Sequence, residues 1–327
     1  MVPWPMPAPT KTTFVPNARG IYLDRPNRFV VRVEVEGGVE AVHCPNPGRL
    51  SELLFPGDSV VLERAPGPRK LNYTLVAVER PGPKGTVTIP LVSVRANPAV
   101  GALVLPDLFP GGVFKPEFTL GTSRFDWAVD HKGVRHLIEV KACSEVEYGT
   151  ALFPDAPSLR AKKHLEELAA WQDQGFVSHV VFAVVHGRPE SWSPNHHTDP
   201  GFARTLADLA PRLHLHAVVF ETNSEGVTQV VAPHLPIDLS QAQGPDSGLL
   251  VRLEPQGEGW TVGVEWYPVG WEKAVAKAPA RLSFAVRSRT DRREELIAEL
   301  EGWRGDPRTH RRFIDTVMRW RHRPEPG

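Results

Sequence analysis

From residue 28 to about residue 95 the chain alternates apolar and polar positions in short runs: Phe29 to Val35, Asp58 to Glu63, Tyr73 to Val78 and Thr86 to Ile89. A period of two, rich in β-branched residues, is the pattern of half-buried strands. Gly37-Gly38, Gly57 and Pro66-Gly67-Pro68 punctuate the runs with turn chemistry. So many short strands in so few residues predict a compact antiparallel barrel of the OB type.

After Asn97 the pattern changes. Phe125 to Val129 and Leu137 to Val140 read as two strands joined by the turn-like Asp130-His131-Lys132-Gly133. A helix follows from about Ser158 to Gln174, with Ser158 as its cap and Gly175 as its stop. Val180 to Val185 is a continuous apolar run, as in a strand covered on both faces. A second helix, about Pro200 to Leu209, leads to another such strand at Leu215 to Phe220. A hairpin followed by alternating helix and strand describes a mixed α/β sheet with flanking helices.

From about Ala242 the character shifts again, through Gln243-Gly244-Pro245-Asp246-Ser247-Gly248, into strand-like segments bearing Trp260, Trp266 and Trp271. Amphipathic helical stretches close the chain, roughly Asp291 to Trp303 and Pro307 to Trp320. The expected fold class is therefore α/β plus β. An OB-like domain is expected over residues 1–95, a mixed α/β core over 96–240 and an α+β extension of unassigned role over 241–327.

Composition narrows the function classes more than it names one. A chain of 327 residues is long enough for two domains and an appendage. Its 38 basic and 38 acidic residues cancel, so any nucleic-acid footprint has to be a local patch. Cys44 and Cys143 are too few for a disulfide framework or a four-cysteine zinc site, which fits a reducing cytoplasm. Prolines interrupt the apolar start, so no secretory leader is visible, and no stretch approaches the length of a membrane span. A Gly-rich phosphate loop ending in Lys-Ser or Lys-Thr and a Gly-x-Ser-x-Gly elbow are both missing. His43 beside Cys44, and His196 beside His197, lack zinc-site spacing.

The strongest candidate chemistry is Asp126, Glu139 and Lys141 on the hairpin strands. Glu139 and Lys141 are two apart and share a face, while Val140 points into the opposite layer. The 13-residue step from Asp126 to Glu139 suits a hairpin that brings all three onto one surface. Two carboxylates so placed repel, and a hard divalent cation such as Mg²⁺ or Mn²⁺ compensates them. Such an ion activates water and polarises a phosphodiester, with Lys141 stabilising the developing charge. An acidic-apolar-Lys triplet is equally at home on a solvated strand.

Phe118-Thr119-Leu120-Gly121-Thr122-Ser123-Arg124-Phe125-Asp126 followed by Ile138-Glu139-Val140-Lys141 resembles the PD-(D/E)XK nuclease core. More narrowly, it resembles the sugar fermentation stimulation protein A (SfsA) family. Further blocks resemble that family in order: His43-Cys44-Pro45-Asn46-Pro47-Gly48-Arg49-Leu50, Phe153-Pro154-Asp155-Ala156 and Lys163-His164-Leu165. Together they span about residues 14 to 235. The resemblance implies an N-terminal OB-fold, a restriction-endonuclease-like domain, DNA binding and a metal site at Asp126, Glu139 and Lys141. It adds Glu117, nine positions before the motif aspartate, as a further acidic candidate for the metal shell. The chain departs from the family in two places. Asn97-Pro98-Ala99-Val100-Gly101 is poor in helix formers and lacks the acidic residue that the family's helix carries. Ser158-Leu159-Arg160-Ala161 stands where the family has Thr-Glu-Arg-Gly.

Candidates for nucleic-acid contact are basic. Arg160, Lys163, His164 and Glu167 fall on one helix face, whose cations could clamp a phosphate or be an ordinary exposed surface. Arg124 lies within the motif run. In the barrel, Arg49, Arg69 and Lys70 sit in loops, with Tyr73 as a stacking candidate, although turn chemistry explains them as simply. The arginines from Arg287 to Arg323 are mixed with Glu294, Glu295, Glu299, Glu301 and Asp315, which favours a solvated helix with internal ion pairs. The expected function is metal-dependent hydrolysis of a nucleic acid, DNA first and RNA second. A non-catalytic DNA-binding regulator on a nuclease scaffold is the alternative. The expected partner is nucleic acid and not a membrane, and the oligomeric state, a homodimer included, is left open.

Overall fold

The computed structural model describes residues 8–242, apart from 47, 49, 51, 52, 66, 68, 83, 84, 148, 186, 197 and 241. Beyond them it describes the backbone of strands in 247–256, 259–268 and 280–286. The chain opens with β1 (Thr10–Thr12) and β2 (Ala18–Asn27), followed by β3 (Val30–Val35), β4 (Gly38–His43), β5 (Ser59–Arg64), β6 (Tyr73–Gly82) and β7 (Gly85–Pro90). Strands β4-β3-β2-β5-β6 are hydrogen-bonded in that order, and β4 meets β6 again at His43 and Thr74, closing a five-stranded OB barrel. Alternation fills it: Val31, Val33 and Val35 point inward with Val60, Leu62, Leu75 and Val78. The β3–β4 hairpin turns on Glu36 and Gly37, at φ of 51° and 81°, the positive values that a tight two-residue turn requires.

Periodicity alone finds β3, β5, β6 and β7 but not β2 or β4. β2 carries a proline and an irregular exposure pattern, and β4 buries only Val42. Their place in the barrel is set by pairing with β3, which both of them flank. The closing β4–β6 pairing is parallel, so the barrel is antiparallel except at that seam.

Two short helices, α1 (Ala96–Leu103) and α2 (Leu105–Leu108), lead into the core. There follow β8 (Val113–Leu120), β9 (Ser123–His131), β10 (Val134–Cys143), the short β11 (Glu145–Glu147) and β12 (Thr150–Phe153), and α3 (Leu159–Gln172). Next come β13 (Val177–Val184), β14 (Ser191–Pro194), α4 (Pro200–Leu209), β15 (His214–Thr222) and β16 (Val227–Ala232). The central strands run β15-β13-β10-β9-β8, parallel from β15 to β10 and antiparallel from β10 to β8. This is the mixed sheet that the hydrophobic runs predict. Strands β8, β11, β12, β14 and β16 carry no signal strong enough to be read beforehand.

The β9–β10 hairpin turns on Lys132 and Gly133, at φ of 50° and 80°, with His131 paired to Val134. Helix α3 starts at Ser158, whose side chain accepts the Ala161 N–H, as a cap should. Leu165 and Leu168 of α3 and Phe202 and Leu206 of α4 pack against Leu137, Val180, Phe182 and Val219 on one sheet face. On the other face, Val100, Leu103 and Leu105 of α1 and α2 pack against Ile138, Val181, Val218 and Phe220. The barrel and core share hydrogen bonds as well as packing: β7 pairs with β15 at Thr88 and Thr222, and β1 adds to β16.

Beyond the core, β17 (Ser247–Gln256), β18 (Gly259–Pro268) and β19 (Ala280–Val286) form an antiparallel meander containing Trp260 and Trp266. Trp271 and the two closing helical stretches expected from the sequence lie outside the described residues. Among the described residues no helix is long and apolar enough to cross a membrane.

The α1/α2 face of the sheet carries a row of imidazoles that the sequence reading passed over. His136 Nδ1 lies 2.9 Å from His179 Nε2, and His179 Nδ1 lies 3.1 Å from His216 Nε2. His214 stacks on His179, and Phe109 packs its ring against His131, His136 and His179. A neutral imidazole offers one donor and one acceptor, so the three rings can pass hydrogen bonds along the row without any of them carrying charge. Burial, followed by the neighbouring histidines, pushes His179 far below its ordinary value and His216 down to about 4. With folded pKa values depressed, this contribution to stability is complete above about pH 6.5, the unfolded value. It is lost as pH falls toward the folded values. The expected outcome is a steep fall in unfolding free energy between pH 6 and pH 4. In His179→Gln that slope should be shallower by up to about 1.4 kcal/mol per pH unit for each proton no longer taken up. Urea unfolding at several pH values measures this, and parallel acid limbs in the two proteins would refute it.

Candidate active-site cleft

A cleft of about 620 Å³ opens where the barrel meets α1, the β9–β10 strands and the start of α3. Asn46 and Gly48 of the barrel, Asn97 of α1, Glu117 of β8, Asp126 of β9, Glu139 and Lys141 of β10, Asp155, and Arg160 and His164 of α3 all line it. The hairpin register explains the meeting of the carboxylates: Trp127 pairs with Ile138, so Asp126 and Glu139 are the next residues along the two strands. Val140, between Glu139 and Lys141, packs into the apolar layer beneath α1.

The structure therefore brings Asp126, Glu139 and Lys141 together. Lys141 Nζ donates to Glu139 Oε1 at 2.7 Å, and His164 Nδ1 makes a short contact with the same oxygen. Arg160 Nε donates to His164 Nε2 at 3.3 Å, continuing the chain toward solvent. Asp126 Oδ2 accepts the Val140 N–H at 2.7 Å and Oδ1 accepts from Asn97 Nδ2 at 2.8 Å.

The two carboxylates differ electrostatically. Burial, then the charge of Glu139, pushes Asp126 up to about 6, against the opposing pull of the Val140 N–H and Lys141. Burial also raises Glu139, but Lys141 and His164 outweigh it and hold Glu139 below its ordinary value. Glu139 Oε2 is buried without a hydrogen-bond partner, a costly arrangement for a charged oxygen unless something else satisfies it.

The remaining candidates separate. Glu117 is exposed and paired with Arg124 at 2.8 Å, although its charge still adds to the potential at Asp126. Among the described residues no three His, Cys, Asp or Glu side chains form a metal-holding group. Lys163 lies outside the cleft lining and pairs with Glu167 across one helical turn. Arg69 and Lys70 are exposed in the β5–β6 loop, away from the cleft. Tyr73 packs partly into the barrel core with the Arg64 guanidinium over its ring, which weighs against a free stacking platform. Arg49 lies outside the described residues.

Two residues at the heart of the cleft are missing from the sequence-based set. His164 was visible as a member of a basic helix face and of the family-like block Lys163-His164-Leu165, without a role, and Asn97 only as part of a helix with poor propensity. The barrel and core blocks, far apart in sequence, also touch: a Cβ at Gly48 would lie 2.3 Å from Asp155 Oδ2, so a larger residue there would displace that carboxylate.

The raised Asp126 gives a check on the electrostatics. Its ionisation in the folded state carries no cost below about pH 3.8, the ordinary value, and the full cost above about 6. In chelated buffer, Asp126→Asn is therefore expected to be more stable than the parent at pH 8, by about 1–3 kcal/mol. The gain should shrink toward pH 5. Chemical denaturation at the two pH values measures it, and a pH-independent difference would show that Glu139 and burial do not press on Asp126.

Residues 23–89 match the family model for the SfsA N-terminal OB domain, and residues 101–226 match that for the sugar fermentation stimulation protein RE domain. A sugar fermentation stimulation protein homolog from Pyrobaculum neutrophilum is 40% identical over 228 residues, covering 68% of this chain and 95% of the relative. One from Methanothermobacter thermautotrophicus is 38% identical over 189 residues, covering 58% of this chain and 79% of the relative. The solved structure of Pyrococcus furiosus SfsA in complex with Ca²⁺ aligns with a TM-score of 0.61 at 24% identity, over 68% of this chain and 95% of that one. With both domains matched in order and a relative aligned over nearly its whole length, the chain belongs to the SfsA family.

Proposed function

We propose that this protein is a DNA-binding nuclease that hydrolyses phosphodiester bonds with Mg²⁺ or Mn²⁺ in the Asp126–Glu139 cleft. The observation that carries the reading is the donor set. Two carboxylates are forced together at low exposure, one raised to about 6 and the other with a buried oxygen lacking any hydrogen bond. That is an unfavourable arrangement for an empty polar pocket and a suitable one for a hard cation that takes oxygen ligands. The Ca²⁺ in Pyrococcus furiosus SfsA is an ion of the same oxygen-seeking kind.

Asp126 and Glu139 would hold the ion, with Glu117 joining only if it leaves Arg124. The ion would lower the pKa of bound water and polarise the phosphoryl oxygens. Lys141, nearly buried and fixed on Glu139, would offer its ammonium to the negative charge that develops on the phosphate. His164 shares Glu139 Oε1 with Lys141, which leaves Oε2 free of hydrogen bonds. Arg160 and Arg124 line the cleft with guanidinium groups suited to grip phosphate. The barrel supplies the opposite wall through Asn46 and Gly48, where an OB-fold can guide a single strand.

Glu139 is already compensated by Lys141 and His164, and this favours the second reading, a regulator that binds DNA without cutting it. The expected result is cleavage of single- or double-stranded DNA by the parent with Mg²⁺ or Mn²⁺. Lys141→Ala should slow it by about 10²–10³-fold, the usual cost of removing a charge-stabilising donor, with DNA affinity near that of the parent, and its melting temperature should fall because the buried Glu139 loses its cation. Gel-based cleavage across metals and substrates checks this, with matched RNA strands to separate the two polymers. Salt-sensitive binding with intact substrate in both proteins would establish the regulator instead.

A further inference from the structure

We propose that Asn97, in the first turn of α1, is a positioning residue that fixes the orientation of the Asp126 carboxylate and is itself held by the indole of Trp127. This inference rests on the reading of Asp126 as a metal ligand. Asn97 Nδ2 donates to Asp126 Oδ1 at 2.8 Å, and Asn97 Oδ1 accepts a short hydrogen bond from Trp127 Nε1. An indole N–H can only donate, so it determines which end of the amide is the oxygen, and the NH₂ must then face the carboxylate. With the Val140 N–H on Oδ2 at 2.7 Å, the Asp126 carboxylate is gripped at both oxygens from two different elements.

The helix is built for this contact. Asn97 does not cap α1, because the capping position is Arg95 and no side chain caps the helix there. Gly101 lies one turn further on, on the same face as Asn97. A Cβ at Gly101 would lie 2.2 Å from Cζ2 and 2.6 Å from Cη2 of Trp127, so glycine admits the indole against the helix. The segment from Asn97 to Gly101 is a poor helix by composition because two of its positions serve Trp127 and Asp126. A neutral amide also suits the task better than a basic side chain. A cation hydrogen-bonded to Asp126 would neutralise the charge that a divalent ion needs, whereas an amide orients the carboxylate and leaves its charge available.

The test compares Asn97→Ala, Trp127→Phe and Asp126→Asn with the parent. Mn²⁺ affinity is measured by paramagnetic resonance in the absence of DNA, and crystal structures are determined for the parent and Asn97→Ala. Trp127→Phe keeps an aromatic ring against Gly101 and removes the N–H, which separates positioning from packing. Asn97→Ala is expected to weaken Mn²⁺ binding by about 10–100-fold, the usual cost of losing a partner of a metal ligand, and to show the Asp126 carboxylate rotated. Trp127→Phe should fall between Asn97→Ala and the parent at an unchanged melting temperature, and kcat for cleavage should drop with KM for DNA unchanged. If Asp126→Asn loses Mn²⁺ while Asn97→Ala and Trp127→Phe bind it like the parent, the clamp is wrong and the metal assignment stands. If the parent binds no Mn²⁺, the proposed function fails on its own. The two crystal structures then decide the clamp: an unmoved Asp126 refutes it and a rotated one supports it.

Discussion

The structure around the cleft is organised by the placing of two carboxylates, Asp126 and Glu139, side by side on adjacent strands under partial cover. Like charges in a poorly solvated site repel strongly, so each surrounding element contributes something to hold them there. β10 supplies Lys141 and the Val140 N–H, α3 supplies His164, and α1 supplies Asn97. The compensation is unequal. Glu139 receives two donors on one oxygen and is held as a carboxylate, whereas Asp126 receives only neutral N–H groups and is pushed toward protonation. A site with one firmly charged and one labile acid has part of its electrostatic demand still unmet.

The same sheet carries a second polar system on its other face. Glu139 and Lys141 look toward α3, while His136, on the same strand, joins His179 and His216 beneath Phe109. The first system depends on charge and the second on its absence, and the apolar layers around the strands keep the two apart. Barrel and core are likewise joined by more than a linker. The β7–β15 pairing and the addition of β1 to β16 connect them through backbone, and the Asp155 carboxylate lies against Gly48. The barrel wall of the cleft therefore stands in a defined place relative to the carboxylates.

Much of this was legible in the chain. The hairpin, both long helices and the buried parallel strands follow from runs such as Val180 to Val185 and from Ser158 and Gly175 at the ends of α3. Asp126, Glu139 and Lys141 were legible because a two-residue spacing on a strand and a short hairpin carry their geometry in the order of residues. Basic character without geometry proved a weaker guide: Arg160 reached the cleft, whereas Lys163 on the same helix face pairs with Glu167 in solvent. Strands β2 and β4 escaped notice because their weak alternation makes sense only beside β3.

The sequence by itself determined the local periods, turns and caps, and through them which residues could share a face, because those depend on neighbours a few positions away. Tertiary structure alone decided which polar groups meet. Asn97 reaches Asp126 across 29 residues, His164 reaches Glu139 across 25 and His136 reaches His179 across 43. No local pattern encodes such contacts. They exist because sheet order brings distant strands and helices within hydrogen-bonding distance, and because a buried polar group must find its partner there once water is excluded.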